Sequence, residues 1–388
     1  MTETTASLAA PSARANGTWG TTDHRGSWIP SGRMIAARFH ELRRRRGLML
    51  MLAGVTMGIP TIYLVIRLIL HAAAPHTYGP AGGYDVYVGL SAGVLYVFGF
   101  IVAATLGATA GSVDLSEGMF RHHVVTGRSR IALYLARIPA GLGIIVPLVA
   151  TGFTIVCAVC AFATPRTLSY NSADLPAQLS RAELVQWAAQ HPHEVVDNFP
   201  LRLTPNDIPN TACFSGPQGP KGRIARVVPP PSSGPCTPAQ LRSFAVNIAK
   251  GDYADYSRLF LSPPVSLMIK TGLWIELEAA VAFLIGLGLS SLLGQRTVAV
   301  VLMIVLELIL TPLAIRAHLP HMVNLQRGII GAATAHVEPG GLPTPFGGGQ
   351  ADQPLALHMS TTAAVCVIVA WMVVWTALGT WRMATRDA

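Results

Sequence analysis

The sequence predicts an all-α polytopic membrane protein. It has six transmembrane helices, an N-terminal interfacial helix, and a small extracytoplasmic, mainly helical insertion between spans three and four. Three observations predict this. The 388 residues are 51% hydrophobic and only 12% charged, with a mean hydropathy of +0.45; soluble domains carry roughly 25% charged residues. Six apolar runs reach the length of about 20 residues that a bilayer demands of a helix. Arginines collect at alternate ends of those runs, which fixes their direction.

The first 30 residues are rich in Ser, Thr, Ala and Gly and predict a disordered cytoplasmic tail. Residues 31–46 differ. Met34, Ile35, Phe39 and Leu42 fall near one helical face with basic residues around them, as in a helix lying in the membrane interface. Four consecutive arginines, Arg43 to Arg46, then meet the first apolar run, 48–70. That run is too long for the core of a secretory signal and has no small-residue cleavage site behind it. Positive charge stays inside, so span one runs outward.

The remaining spans are expected at 86–109, 131–163, 265–293, 297–317 and 358–381. The charge pattern agrees with the count. Eight arginines lie in 1–47. Arg121, Arg128 and Arg130 follow span two, Arg296 lies between spans four and five, and Arg382 and Arg386 follow span six. Loop 71–85 has no Lys or Arg, and 318–357 has only Arg327. The expected location is therefore the cytoplasmic membrane, multi-pass, with both termini cytoplasmic. Of the 28 basic residues only Lys221, Lys250 and Lys270 are lysine, and the net charge is +9. Arginines at span ends point to anionic lipid headgroups and not to nucleic acid.

Residues 164–264 form the insertion. A helix is expected at 181–196, a turn-rich centre after it, and a second helical stretch at 237–260, with few apolar residues for a core. Cys213 and Cys236 both fall here, on the oxidising side, and are expected to be bonded. Cys157, Cys160 and Cys366 lie in spans and behave as small hydrophobes. The second outside segment, 318–357, begins with a weakly apolar stretch, 324–336, expected to dip into the membrane's outer edge. It continues as an irregular Gly/Pro-rich surface loop over 337–357.

Ionisable residues inside spans are costly and mark sites. Glu307 sits mid-span in span five, either as a structural carboxyl between helices or as a polar group lining a path. Glu276 and Glu278 lie in the outer part of span four, at the depth of Arg67 and Arg316, which makes those arginines candidate partners. No catalytic, cofactor-binding or metal-binding constellation stands out. There is no P-loop anywhere, and Gly216-Pro-Gln-Gly-Pro-Lys-Gly222 lacks the Ser/Thr.

The segment between spans two and three is ordered in pattern. Asp114, Glu117 and Arg121 share a helical face, and Glu117–Arg121 is a favourable i,i+4 pair. Gly118, Met119 and Phe120 precede a basic cluster, and Thr126-Gly127-Arg128-Ser129-Arg130 makes a turn before span three. Together with the interfacial helix and six spans, Asp114-x-x-Glu117-Gly118 and this turn resemble ABC transporter permeases of the type-two exporter family, over roughly 30–163 and 265–385. The resemblance implies that 112–128 is a coupling helix docking into an ATPase subunit, with Asp114, Glu117, Gly118, Phe120, Arg121 and Arg128 the ATPase-coupling residues. It implies a separate ATPase chain carrying ATP and Mg, and a working unit of two permeases, homodimer or heterodimer, with two ATPases. The chain itself is then not an enzyme. The insertion is larger than in the smallest members of that family and leaves the substrate and direction of transport open. Two other readings stand beside it: a membrane-anchored sensor or assembly protein using the outer insertion, and an ion-coupled transporter using Glu307.

Overall fold

A computed structural model describes residues 28–74, 78, 80–116, 129–164, 167–170, 173–198, 237–251, 253–316, 321–339 and 359–385. Helix α1, Gly32–Arg44, comes first. Among the described residues six helices are long and apolar enough to cross a membrane: Arg46–Ala73, Tyr84–Val113, Arg130–Phe162, Val265–Leu293, Arg296–Leu313 and Thr361–Thr385. Each expected span is recovered within a few residues, because helix length and hydropathy are local properties of the chain.

The bundle has two distinguishable ends. At the arginine end, Arg130 Nη1 donates to the Ala384 carbonyl at 3.5 Å and the buried Arg137 to that of Gly111 at 3.2 Å. At the loop end, the Gly83 amide donates to Cys160 and the Tyr84 amide to Leu261, each at 2.9 Å. Span four is the central helix, with 72% of its apolar window buried, whereas spans one, five and six bury only 17–22% and turn the rest outward. Such outward apolar surface is what lipid requires.

Spans two and four meet along a seam of small residues. Gly107 and Gly111 sit one helical turn apart, and a Cβ at Gly111 would lie 2.6 Å from the Leu287 carbonyl oxygen. Gly286 faces the seam from the other side, where a Cβ would lie 2.6 Å from the Ala104 carbonyl. Without a hydrophobic drive between helices in lipid, close backbone approach supplies the packing energy.

Helix α1 buries Met34, Arg38 and Leu42. Met34 packs on Ala132, Leu133 and Ala136 at the start of span three, with Ile35 beside it. Arg38 pairs with Glu41 at 2.6 Å on the same helix. The apolar face expected for interfacial lipid thus covers protein over part of its length.

The insertion starts with an antiparallel hairpin, β1 (Thr167–Tyr170) and β2 (Ala173–Pro176), in register Thr167 to Pro176. Helices α2 (Arg181–Gln190), α3 (Pro192–Asn198), α4 (Pro238–Gly251) and α5 (Tyr253–Phe260) follow. Ser180 and Glu183 close a reciprocal capping box at the start of α2. Leu184, Ala188 and Val195 meet Leu241, Ala245, Ile248 and Tyr256 in a small separate core. Tyr256 ties this core to the hairpin by donating to the Pro176 carbonyl at 2.6 Å. Most of the described residues of this segment are helical, and the hairpin is the element that composition did not announce.

After span five the chain folds back as two short helices, α6 (Val323–Arg327) and α7 (Ile330–Val337). Ile330 to Thr334 are buried, and the Trp371 indole of span six donates to Gly328 at 2.8 Å. This is the stretch expected to dip back rather than cross.

Candidate functional site

A polar site lies in the loop-end half of the bundle, where spans two, four and five meet α7. The Tyr96 hydroxyl donates to Glu307 Oε1 at 2.8 Å. The Thr311 hydroxyl, one turn beyond Glu307, lies 3.4 Å from Oε2 and also donates to the Leu306 carbonyl at 3.0 Å. Trp274 of span four stacks on the Tyr96 ring, centroids 4.8 Å apart and planes within 3°. Its indole nitrogen donates to the Thr334 carbonyl of α7 at 3.1 Å.

Both partners of the central hydrogen bond sit in unusual backbone. Tyr96 ends a π-helical stretch, Gly89–Tyr96, and Glu307 lies inside another, Val305–Leu310. A π stretch widens the turn and re-aims side chains, which is why such bulges gather at functional sites. Helix α7 reaches the carboxyl because Gly331 has no side chain. A Cβ there would lie 2.9 Å from Glu307 Oε2 and closer still to Thr311.

Glu278 stands one turn along span four from Trp274 and is 2% exposed. Its Oε1 is buried with no hydrogen-bond partner. Glu278 is close enough to both Glu307 and Glu338 to interact with each electrostatically. Glu338 follows α7, outside the spans, and burial pushes its carboxyl up to about 8. An isolated ionised carboxyl is expensive away from water, so three such groups converging on one place constitute a charge-sensitive site. Among the described residues no group of three or more His, Cys, Asp or Glu side chains is placed to hold a metal ion.

The expected site residues separate on this structure. Glu307 and Glu278 come together. Glu276, two residues from Glu278, lies about 200° around the helix and is only half-buried. Arg67 does not pair with either carboxyl. Its Nη2 donates to the Pro80 carbonyl at 2.7 Å, and its Nε is buried without a partner. Arg316 and Asp114 are helical, with side chains outside the described residues, and Glu117, Gly118, Phe120, Arg121, Arg128, Cys213 and Cys236 lie outside them altogether. Glu338 overturns part of the expectation for 337–357 as a surface loop: the segment's second residue is turned inward by α7 and carries a buried oxygen.

Tyr96, Trp274, Thr311, Gly331 and Thr334 carry no signal of their own in the sequence. The spacing Gly107-x-x-x-Gly111 was a readable sign of the span two–span four contact.

No protein-family model, curated protein or solved structure matches the chain.

Proposed function

We propose that this chain is the membrane-spanning permease subunit of an ATP-driven exporter, working with a separate ATPase subunit that carries ATP and Mg. In this reading both termini and residues 112–128 face the cytoplasm, α1 lies at the inner interface, and the 164–264 insertion stands outside. Two copies of the chain, or this chain and a second permease, pair with two ATPases. The substrate moves outward across the cytoplasmic membrane.

One observation carries the reading. Span two is a continuous helical rod that joins the segment resembling a coupling helix to the polar site. From Tyr96 to Ser116, where residues 117–128 begin, it spans about 30 Å. The glycine seam binds this rod to span four, which carries Trp274 and Glu278. Movement of the coupling segment would therefore reach the Tyr96–Glu307 hydrogen bond through packed helix, without a flexible joint. Affinity purification of the tagged chain from its native host tests the proposal. An ATPase subunit should copurify with the wild type and be lost from Phe120→Ala/Arg121→Ala, while the variant still inserts. Buried aromatic and arginine anchors contribute about 2 kcal/mol or more each to such interfaces. Equal recovery of the ATPase with both proteins would remove the docking site from 112–128.

The buried carboxyls favour a second reading, transport coupled to protons at Glu307. Dependence of transport on a proton gradient, abolished in Glu307→Gln, would favour it over the first.

A further inference from the structure

Spans two and four touch in two different ways along their length. Toward the arginine end the contact is the seam of Gly107, Gly111 and Gly286. Toward the loop end it is polar. Tyr87 and Ser91, one turn apart on span two, and Thr271, near the start of span four, are each 0% exposed. Ser91 and Thr271 both lie beside the Tyr87 hydroxyl, and yet none of the three side-chain oxygens has a partner in hydrogen-bonding geometry. Phe153 of span three packs on Tyr87, ring centroids 6.1 Å apart.

Other buried hydroxyls of this bundle satisfy themselves on their own helix. Thr105, Thr109 and Ser112 of span two, Ser291 of span four and Thr334 of α7 each donate to the carbonyl four residues back, at 2.7–3.2 Å. Ser91 and Thr271 do not take that bond. Ser91 sits in the π-helical stretch Gly89–Tyr96, where the turn is widened. Thr271 stands in regular helix, with the Leu267 carbonyl four residues behind it, and is turned to Tyr87 instead.

A buried hydroxyl without a partner is costly, and such groups are normally paired with protein or with ordered water. Each of these three offers one proton and two lone pairs. Neutral hydroxyls do not compensate the charge of an ion taken out of water, so the ligand that suits them is small and neutral. Water both donates and accepts, and a buried water typically makes about three hydrogen bonds to polar groups of this kind. We infer that Tyr87, Ser91 and Thr271 hold an ordered water molecule that bridges spans two and four at the loop end. The bridge joins the two helices where the glycine seam does not reach. Its bonds can change partners when span two shifts on span four, so it holds the helices together without locking their register.

X-ray radiolysis of the full-length protein in detergent tests the inference. Hydroxyl radicals formed from a bound water oxidise the side chain beside it, and mass spectrometry reads the product peptide by peptide. Tyr256 is the control: it is the same side chain, also 0% exposed, with its hydroxyl donated to the Pro176 carbonyl. Wild-type Tyr87 is oxidised several-fold faster than Tyr256. Ser91→Ala/Thr271→Val leaves one hydroxyl of the three and brings Tyr87 down to the rate of Tyr256. The melting temperature gives an independent sign. Removing an orphaned hydroxyl from a dry site leaves it unchanged or raises it, whereas removing an anchor of the water lowers it, so Thr271→Val lowers it. Oxidation of wild-type Tyr87 no faster than Tyr256 overturns the inference, and together with a lowered melting temperature for Thr271→Val it assigns the hydroxyls to one another with no water between them. An unchanged Tyr87 rate in the double variant, or an unchanged or raised melting temperature for Thr271→Val, also overturns it. The wild-type comparison decides the matter if the double variant does not fold.

Discussion

Tyr96 and Glu307, 211 residues apart in the chain, are joined by a hydrogen bond of 2.8 Å between the π-helical stretches of spans two and five. The bond is buried, so its loss leaves a carboxyl oxygen without a donor inside the bundle. Tyr96→Phe should therefore cost about 1–3 kcal/mol, measured by reversible denaturation in mixed micelles. A double-mutant cycle with Glu307→Gln should return a coupling of about 0.5 kcal/mol or more. Strict additivity of the two substitutions would mean that the residues do not act on each other.

Gly331 is where α7 closes on the carboxyl. Gly331→Ala places a methyl group against Thr311 and 2.9 Å from Glu307 Oε2, an overpacking that typically costs about 1–3 kcal/mol. Thr311→Ser removes one of the atoms in the way and should restore part of the loss in the double variant. Unchanged stability of Gly331→Ala would show that α7 sits off the carboxyl in solution.

Glu338 supplies a pH test. Burial raises its carboxyl from the ordinary range to about 8 in the folded protein. The folded state then holds a proton that the unfolded chain releases at lower pH. The stabilisation is full below about pH 4 and is lost as pH rises toward 8. Thermal stability in detergent should fall over that window, and Glu338→Gln should flatten the fall. Glu278 and Glu307 titrate against the same site, so the difference between wild type and variant is the quantity to compare. Parallel curves would place Glu338 in water.

Topology is tested by labelling. The proposed orientation puts a reporter fused after Ala388 in the cytoplasm and a cysteine introduced at Ser232 within reach of an impermeant reagent from outside only. The arginine asymmetry motivates both expectations. An externally accessible C-terminus contradicts six spans with an internal N-terminus.

Much of this protein was legible one segment at a time. Apolar length defines each span and depends on neighbours in the chain, so the expected 265–293 and the observed Val265–Leu293 coincide. Glu307 and Glu278 stood out for the same local reason, since a carboxyl within an apolar run is conspicuous alone. What those carboxyls face is not a local property. Tyr96, Trp274 and Thr334 come from three other elements, and the π stretches shift the phase of spans two and five, so a regular 3.6-residue wheel does not place Tyr96 and Glu307.

The sequence by itself determined the membrane class and the number of apolar spans, and singled out Glu278 and Glu307, because hydropathy and charge act residue by residue against the bilayer. Only the tertiary structure decided that Arg67 turns to Pro80 and not to a glutamate, that Glu338 leaves its loop for the interior, and that Gly331 admits α7 to the site. Those outcomes rest on how close two backbones can approach, a steric property of the pair of elements that neither strand of sequence carries alone.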